Sequence, residues 1–300
     1  MKFENTQVFN FEGAFRGMRN PLESWDKSDS QFCLTDIYMD DTLTEVCDAW
    51  IEHENVGRKE RGAEELSYEM QNCQEYYEVL EKYENWLLQE GLLRQSDYGV
   101  NVYDVAFLGP KDLTLAQKLI LAGPEHYKFM RQIFVSVDIT APIYYWKEFD
   151  TYKVGTTANS TSTMHKLTSK PITMNCFEIG DYDEDLYVPR ADQSNSDEDW
   201  EDHWHVDSIW FHLIECLEDL RQAINAEADP TRKKALWKEL IRVLPQSWLQ
   251  TRTVTMSYAN LRNMYFQRRN HKLKEWHEFC NWISKLPYGG ELIMLEEKGE

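Results

Sequence analysis

Residues 134–167 constrain the fold of this chain more than any other part of the sequence. Residues 133–139 are rich in β-branched side chains and predict a buried strand. Ala141-Pro142 then predicts a helix over residues 143–152, because proline is favoured in a first helical turn. The segment 155–163 follows with six hydroxyls and one carboxamide, a composition typical of a turn that binds an anion. An ordinary Ser/Thr loop that caps the next element is the alternative.

A second cationic segment lies near the carboxyl terminus. Residues 262–274 contain five Lys and Arg side chains and no acidic one. The spacing predicts one long helix over residues 260–285, in which Arg269 lies on or beside an apolar stripe that includes Tyr265 and Trp276. A guanidinium in that position either stacks on aromatic rings and pairs with a carboxylate, or faces a ligand.

The composition narrows the classes of partner. The chain of 300 residues carries 32 basic and 52 acidic residues and a net charge of −20. Duplex nucleic acid is not expected as a partner, because binding it depends on neutralising phosphates with Lys and Arg. No apolar run approaches the roughly 18–20 residues that span a membrane. Six cysteines without a CxxC pair, and no secretory signal, predict reduced thiols in a cytoplasmic protein.

The predicted fold class is α+β, with a modest mixed sheet covered by long helices. Residues 1–110 form an N-terminal arm and helical extension, and residues 111–290 form the α/β core. Strands are predicted at 100–107, 133–139 and 251–257, and the remaining helices at 112–122, 206–226 and 230–243, with residues 1–33 irregular. Residues 178–202 contain eleven acidic side chains and predict a solvated acidic loop.

The order of several motifs resembles that of the flavin-dependent thymidylate synthases, the ThyX family, over residues 110–280. The matching segments are Ala141-Pro142-Ile143, Asn159-Ser-Thr-Ser162-Thr-Met-His165, Leu244-Pro245 and Arg268-Arg269-Asn-His271-Lys-Leu-Lys-Glu-Trp276. Upstream, residues 116–126 resemble the helix and GHE-containing turn of that family. The family's RHR triplet is replaced by Thr151-Tyr152-Lys153, and the arginine of its SxRY motif by Met164.

The resemblance implies a ThyX-like core, a homotetramer, and the reductive methylation of dUMP to dTMP with FAD, NADPH and methylenetetrahydrofolate. It implies that Arg269 stabilises negative charge on the pyrimidine, which is the catalytic role. The remaining roles follow from the same resemblance. The implied substrate-binding residues are Glu148, Ser160, Thr161, Ser162 and Arg269, and the implied cofactor-binding residues are Tyr152, Lys153, Asn159, Tyr258 and His271.

Three other hypotheses stay open at the level of sequence. A nucleotide- or flavin-binding relative that lacks the chemistry is consistent with the missing RHR triplet. A metal protein is consistent with His203-x-His205-x-Asp207 followed by His212, since imidazole and carboxylate bind zinc or iron. An interaction protein would use its aromatic side chains and acidic loop on a partner.

Overall fold

The computed structural model describes residues 1–32, 39–63, 65–66, 93–96, 99–102, 106–181, 183, 185–189 and 203–296. These residues form an α+β architecture, as predicted. The chain divides into two compact units. Unit 1 comprises residues 1–4, 138–151 and 158–253, and unit 2 comprises residues 5–137, 152–157 and 254–300. The sequence-based boundary near residue 110 falls within unit 2 and stays a prediction.

Four strands form the largest sheet, in the order β1-β6-β10-β7, and the other strands form three two-stranded ladders, β2-β5, β3-β4 and β8-β9. The strands are β1 Lys2–Phe9, β2 Gln31–Phe32, β3 Leu93–Ser96, β4 Gly99–Val102, β5 Ala106–Phe107, β6 Phe134–Pro142, β7 Thr157–Ser160, β8 Tyr187–Pro189, β9 His203–His205 and β10 Leu249–Ser257. The α-helices of the described residues are α1 Phe11–Arg19, α2 Met39–Glu60, α3 Pro110–Leu121, α4 Ile143–Phe149, α5 Val206–Ala226, α6 Pro230–Val243, α7 Tyr258–Arg268 and α8 Lys274–Ser284.

The two strands at 133–139 and 251–257 are confirmed, and each is longer than predicted. In β6 the side chains alternate between buried and half-buried, which is the period-two pattern of a strand with one face in the core. Within unit 1, the Thr140 and Thr251 hydroxyl oxygens lie 2.7 Å apart, and Thr253 Oγ1 donates to Asp138 Oδ1 at 2.5 Å. These two pairings run in opposite directions along the chain, so β6 and β10 are antiparallel.

Three predictions of secondary structure are wrong. Residues 1–33 are not irregular, since they contain β1 and α1. The helix predicted over 143–152 ends at Phe149. The helix predicted over 260–285 is interrupted after Arg268 and resumes at Lys274, so the basic segment does not form one continuous stripe. Residues 67–92 of the predicted helical extension, and most of the acidic loop, lie outside the described residues.

The core of unit 2 is built on aromatic side chains from α1, α7 and α8. Phe11 packs edge-on against Tyr258, with ring centroids 5.7 Å apart. Trp276 packs edge-on against Phe279 at 5.6 Å, and both rings are fully buried. Burial of rings of this size stabilises the fold strongly, and offset or edge contacts add about 0.5–1.5 kcal/mol each.

The core of unit 1 lies between α5, α6 and the segment before them. Buried Leu217, Ile224 and Leu240 pack with Phe177 in one hydrophobic cluster. Asp229 begins α6 by accepting from the backbone N–H groups of Thr231 and Arg232, which is a helix N-cap. Helices α5 and α6 therefore form at the predicted boundaries.

Glu218 on α5 joins this core to the segment before it. Its carboxylate accepts from the Ile172 backbone N–H at 2.7 Å and from the Arg221 Nε and Nη2 at 2.7 and 2.6 Å. The hydrogen bond from Arg221 lowers the pKa of Glu218 from its ordinary 4.5 to about 2, against the opposing effect of burial.

We expect this carboxylate to make the stability of the protein depend on pH in acid. Because the folded-state pKa lies below the unfolded-state value, the stabilisation is complete above pH 4.5 and is lost as the pH falls towards 2. Thermal melts should show a smaller loss between those pH values for Glu218→Gln than for wild type. The control is Glu239→Gln, whose pair with Arg242 is more than half exposed. An equal fall in melting temperature between these pH values for wild type and Glu218→Gln would contradict this assignment.

No helix of the described residues is long and apolar enough to cross a membrane. The cysteines whose side chains are described, Cys176, Cys216 and Cys280, are free thiols. Burial raises the pKa of the Cys280 thiol to about 11, which keeps this group protonated at neutral pH.

Candidate functional site

A short loop between α4 and β7 carries two of the predicted cofactor residues, Tyr152 and Lys153. Asn260 fixes this loop to the start of α7, because its Nδ2 donates to the Val154 carbonyl at 2.7 Å. Gly155 has φ 77°, and a Cβ placed there would lie 2.9 Å from the Asn260 Oδ1. Only glycine fits this conformation and this close approach without strain. The loop backbone is therefore held in place on unit 2.

Tyr152, Gln267, Arg268, His271 and Trp276 lie together in unit 2, and we call them the Arg268 cluster. The Nε of Arg268 donates to the Tyr152 hydroxyl at 2.7 Å, and that hydroxyl donates to the Gln267 Oε1 at 3.0 Å. The Arg268 guanidinium carbon lies 4.7 Å from the centre of the Trp276 ring. The His271 ring packs edge-on against the same indole, with centroids 6.2 Å apart.

The cluster is layered from the core towards solvent. Trp276 is fully buried, so it supports the guanidinium from behind. Arg268, Tyr152 and His271 are half-buried, and Lys153 beside Tyr152 is exposed. A planar guanidinium held over an indole and by a phenol hydroxyl has lost most of its rotational freedom before any ligand arrives. This arrangement presents an oriented cation to a planar or phosphate-bearing ligand.

His271 is oriented by the backbone between α7 and α8. Its Nδ1 accepts from the Leu273 backbone N–H at 3.1 Å, and its carbonyl accepts from the His277 Nε2 at 2.6 Å. An accepting Nδ1 assigns the proton of a neutral ring to Nε2. The proton of the neutral imidazole is therefore on Nε2.

Arg269, the residue to which the sequence assigns catalysis, makes different contacts. Its guanidinium carbon lies 4.9 Å from the centre of the Phe266 ring, and its Nη1 lies 2.8 Å from the Glu296 carboxylate. The hydrogen bond between the two raises the pKa of Arg269 and lowers that of Glu296. Both side chains are partly exposed. Arg269 is thus engaged with the C-terminal segment, and Arg268 lies with the predicted flavin residues Tyr152 and His271.

The end of α7 determines which of the two adjacent arginines contacts Tyr152. Adjacent helical residues point about 100° apart, so the choice between them depends on where the helix ends. Helix α7 ends at Arg268, and Arg269 occupies the C-cap position. Asn270 follows directly, and asparagine just after a periodic segment is a helix stop signal. That signal predicts the end of α7, on which the contact of Arg268 with Tyr152 depends.

Tyr258, another predicted cofactor residue, lies in the core of unit 2. Its side chain is fully buried, and its hydroxyl donates to the Pro287 carbonyl at 2.6 Å. The residue follows Ser257, which caps α7 through a reciprocal hydrogen-bond pair with Asn260. A ring packed in this way supports the start of α7. Because it has no exposed surface to offer a ligand, Tyr258 lies outside the candidate site.

The predicted phosphate-binding turn begins as an exposed strand in unit 1. Asn159 and Ser160 belong to β7, and both side chains are exposed. Thr161 continues the pairing with β10, since its backbone N–H donates to the Thr251 carbonyl at 2.9 Å. Its own carbonyl accepts from the Gln250 side chain at 2.9 Å. The hydroxyls of Ser160 and Thr161 are therefore on the surface, while the backbone polar groups of Thr161 are used within the sheet.

Ser162 closes this turn on itself. Its hydroxyl oxygen accepts from the backbone N–H groups of Met164 and His165, at 3.2 and 2.9 Å. This is the internal hydrogen bonding of an ordinary Ser/Thr turn, the alternative that the sequence left open. Glu148, the other predicted substrate residue, is half-buried near the end of α4, where its carbonyl accepts from the Thr151 hydroxyl at 2.7 Å.

The metal hypothesis gains no support from the described part of the chain. Its described residues contain no group of three or more His, Cys, Asp and Glu side chains arranged to hold a metal ion. His205 and Asp207 are exposed, and the Nδ1 of His212 lies 2.7 Å from the Ser208 carbonyl oxygen one turn earlier on the same helix.

Comparisons with known proteins give a partial likeness of chain path. No protein-family model matches the sequence, and no curated protein matches it. Two solved structures of the flavin-dependent thymidylate synthase ThyX from Helicobacter pylori, both with FAD and dUMP, are similar with a TM-score of 0.43. They are 13% and 14% identical to this chain, cover 62% of it, and are themselves covered to 83% and 82%.

Proposed function

We propose that this chain binds FAD at the Arg268 cluster and acts on a pyrimidine deoxynucleotide. The observation that carries the proposal is the guanidinium of Arg268, which lies over buried Trp276 and is held by the Tyr152 hydroxyl. The buried indole and the hydrogen bond together fix the orientation of this guanidinium. A cation with this support is a recurring way to recognise a planar ring or a phosphate.

The residues present fit a flavin nucleotide. The isoalloxazine of FAD is a planar ring system with carbonyl acceptors, and the diphosphate of FAD is anionic. The guanidinium of Arg268 offers a flat face and N–H donors to such a ring, and the exposed ammonium of Lys153 lies on the same loop as Tyr152. His271 adds a donor at Nε2. The chain as a whole is strongly acidic, so a local group of cations is needed to hold an anionic cofactor.

The proposed reaction is the reductive methylation of dUMP to dTMP, with methylenetetrahydrofolate and NADPH as co-substrates. The order of motifs along residues 110–280 supports this finer assignment. When bound, FAD supplies the hydride chemistry. In this proposal Arg268 orients the flavin ring and stabilises negative charge on a carbonyl of the pyrimidine. Removing such charge stabilisation costs about 3–4 kcal/mol in other enzymes. Arg269 stays the alternative for that role.

The binding of the substrate phosphate is a separate part of the proposal. The exposed hydroxyls of Ser160 and Thr161 are able to donate to it. Ser162 would maintain the shape of the turn through the hydrogen bonds described above. Glu148, Asn159 and the homotetramer stay sequence-based proposals.

A flavin- or nucleotide-binding protein without the chemistry is the second candidate. The observation that favours it is the ion pair of Arg269 with Glu296, which already neutralises the guanidinium that the resemblance assigns to catalysis. A protein of this kind would bind FAD and release no dTMP.

Growth of a thymidine auxotroph separates these functions. The enzyme predicts growth with wild type and no growth with Arg268→Met, although both proteins accumulate equally. A binding protein predicts no growth with either, together with FAD retained by purified wild type. An interaction protein predicts neither growth nor retained FAD, which would contradict the proposal as a whole.

A further inference from the structure

A cavity of about 850 Å³ opens within unit 1. Three of its lining residues come from neighbouring strands of the sheet, namely Lys2 in β1, Thr140 in β6 and Leu249 in β10. The Thr140 hydroxyl contacts that of Thr251, which lies on the same face of β10 as Leu249, two residues earlier. One side of the cavity is therefore set by the rigid sheet.

The segment 174–180 also lines the cavity, and it is fixed as well. Phe177 is buried and packs edge-on against Trp248, with ring centroids 5.4 Å apart. The next residue, Glu178, donates its backbone N–H to the Ser247 carbonyl at 2.8 Å. Because both contacts anchor the segment to the chain before β10, the cavity is preformed. Its volume lies within the range of about 300–1,000 Å³ usual for small-molecule sites.

The lining combines apolar side chains with two side chains of opposite charge. Trp248, Leu249 and Ile179 provide the apolar surface. Lys2 and Glu178 both line the cavity, and neither is ion-paired with another described residue. Glu178 is half-buried. A neutral apolar ligand would displace water from its carboxylate and offer no hydrogen bond in return, which disfavours such a ligand. A ligand with one charge would satisfy one of the two groups and be repelled by the other.

We propose that this cavity binds a small zwitterion, an aromatic α-amino acid. Glu178 receives the ammonium group, Lys2 receives the carboxylate, and the ring lies against Trp248 and Leu249. Asn175 also lines the cavity, and in this proposal its amide hydrogen-bonds to one end of the ligand. The inference is independent of the Arg268 cluster, which belongs to unit 2.

The chain supplies its own reporter for this site. Cys176 is a free, half-buried thiol that lines the cavity, and Cys216 is a free, exposed thiol on α5 that does not. Alkylation of the full chain with iodoacetamide, followed by peptide mass spectrometry, measures the two thiols separately. The probes are L-phenylalanine, 2-phenylethylamine and 3-phenylpropionate, which share a ring and differ only in charged groups.

L-Phenylalanine is expected to protect Cys176 at a concentration about tenfold lower than either analogue, since each analogue lacks one of the two charged hydrogen bonds. Cys216 should be alkylated at an unchanged rate. Glu178→Gln and Lys2→Met should each remove the advantage of phenylalanine over one analogue, the acid and the amine respectively. Circular dichroism serves to show that both variants stay folded. Equal protection by the three probes, protection that neither variant changes, or no protection of Cys176 would overturn the proposal.

Discussion

Replacing Arg268 by methionine is expected to weaken FAD binding by about 100-fold, or about 2.7 kcal/mol. Methionine keeps an unbranched apolar stem over Trp276 but removes the planar cation and its hydrogen bond to Tyr152. Losing a hydrogen bond to a charged group costs about 1.5–3 kcal/mol, and losing the stacking face adds to it. Quenching of flavin fluorescence during a titration with protein measures the dissociation constant.

Arg269→Met is the matched control for that titration. The two arginines are adjacent in sequence and both lie over aromatic rings, but Arg268 contacts Tyr152 and Trp276, whereas Arg269 contacts Phe266 and Glu296. Its replacement should change the dissociation constant of FAD by less than about threefold, as is usual away from a binding site. The opposite ranking, with Arg269→Met the weaker binder, would return the catalytic assignment to the residue that the sequence favoured.

Replacing Asp112 by alanine is expected to lower the free energy of unfolding by about 3–5 kcal/mol. Arg19 and Asp112 form an ion pair in which the side chains are 6% and 0% exposed, with Nη2 and Oδ1 2.6 Å apart. Ser28 donates to the other carboxylate oxygen at 2.6 Å, and the Nη2 of Arg19 donates to the Lys27 carbonyl at 3.0 Å. Alanine would leave a buried guanidinium without its countercharge. Urea denaturation followed by circular dichroism measures the difference.

Two further variants test whether the missing countercharge is the cause. Glu12→Ala removes the partner of Arg16 in a pair whose side chains are more than half exposed, and should cost less than about 1 kcal/mol. The double variant Arg19→Met with Asp112→Leu should recover part of the loss, because apolar residues can replace a buried ion pair. A double variant that is less stable than Asp112→Ala would contradict this explanation.

The elements that the sequence predicts well are those whose pattern is local. Strand β6 alternates regularly and is enriched in β-branched residues, and α6 begins with the Asp229-Pro230 signal. Strand β1 and helix α1 are missed because Gly13 and Gly17 indicate irregular backbone on composition alone. In the structure both glycines lie within α1, where a Cβ added to Gly13 would clash with the Asn10 Oδ1 and one added to Gly17 would lie 2.9 Å from the Gln132 Oε1. They permit close packing, which depends on tertiary contacts that a local pattern does not contain.

The candidate site shows the same division. The sequence places Tyr152, His271 and an arginine in one site, and the structure brings Tyr152 and His271 together with Arg268. Which of the two arginines contacts Tyr152 depends on the residue at which α7 ends. The burial of Tyr258 depends on contacts with Pro287 and Phe11, which are distant in sequence and could not be read from a motif.

Hydrogen–deuterium exchange of the full chain with and without FAD tests the central claim most directly. Amides that lie under a bound ligand exchange more slowly, and mass spectrometry locates them in the sequence. We expect slower exchange at residues 152–157 and 267–276 when FAD is added, and no such change in Arg268→Met at the same FAD concentration. Slower exchange confined to other segments, or no change anywhere at saturating FAD, would contradict it.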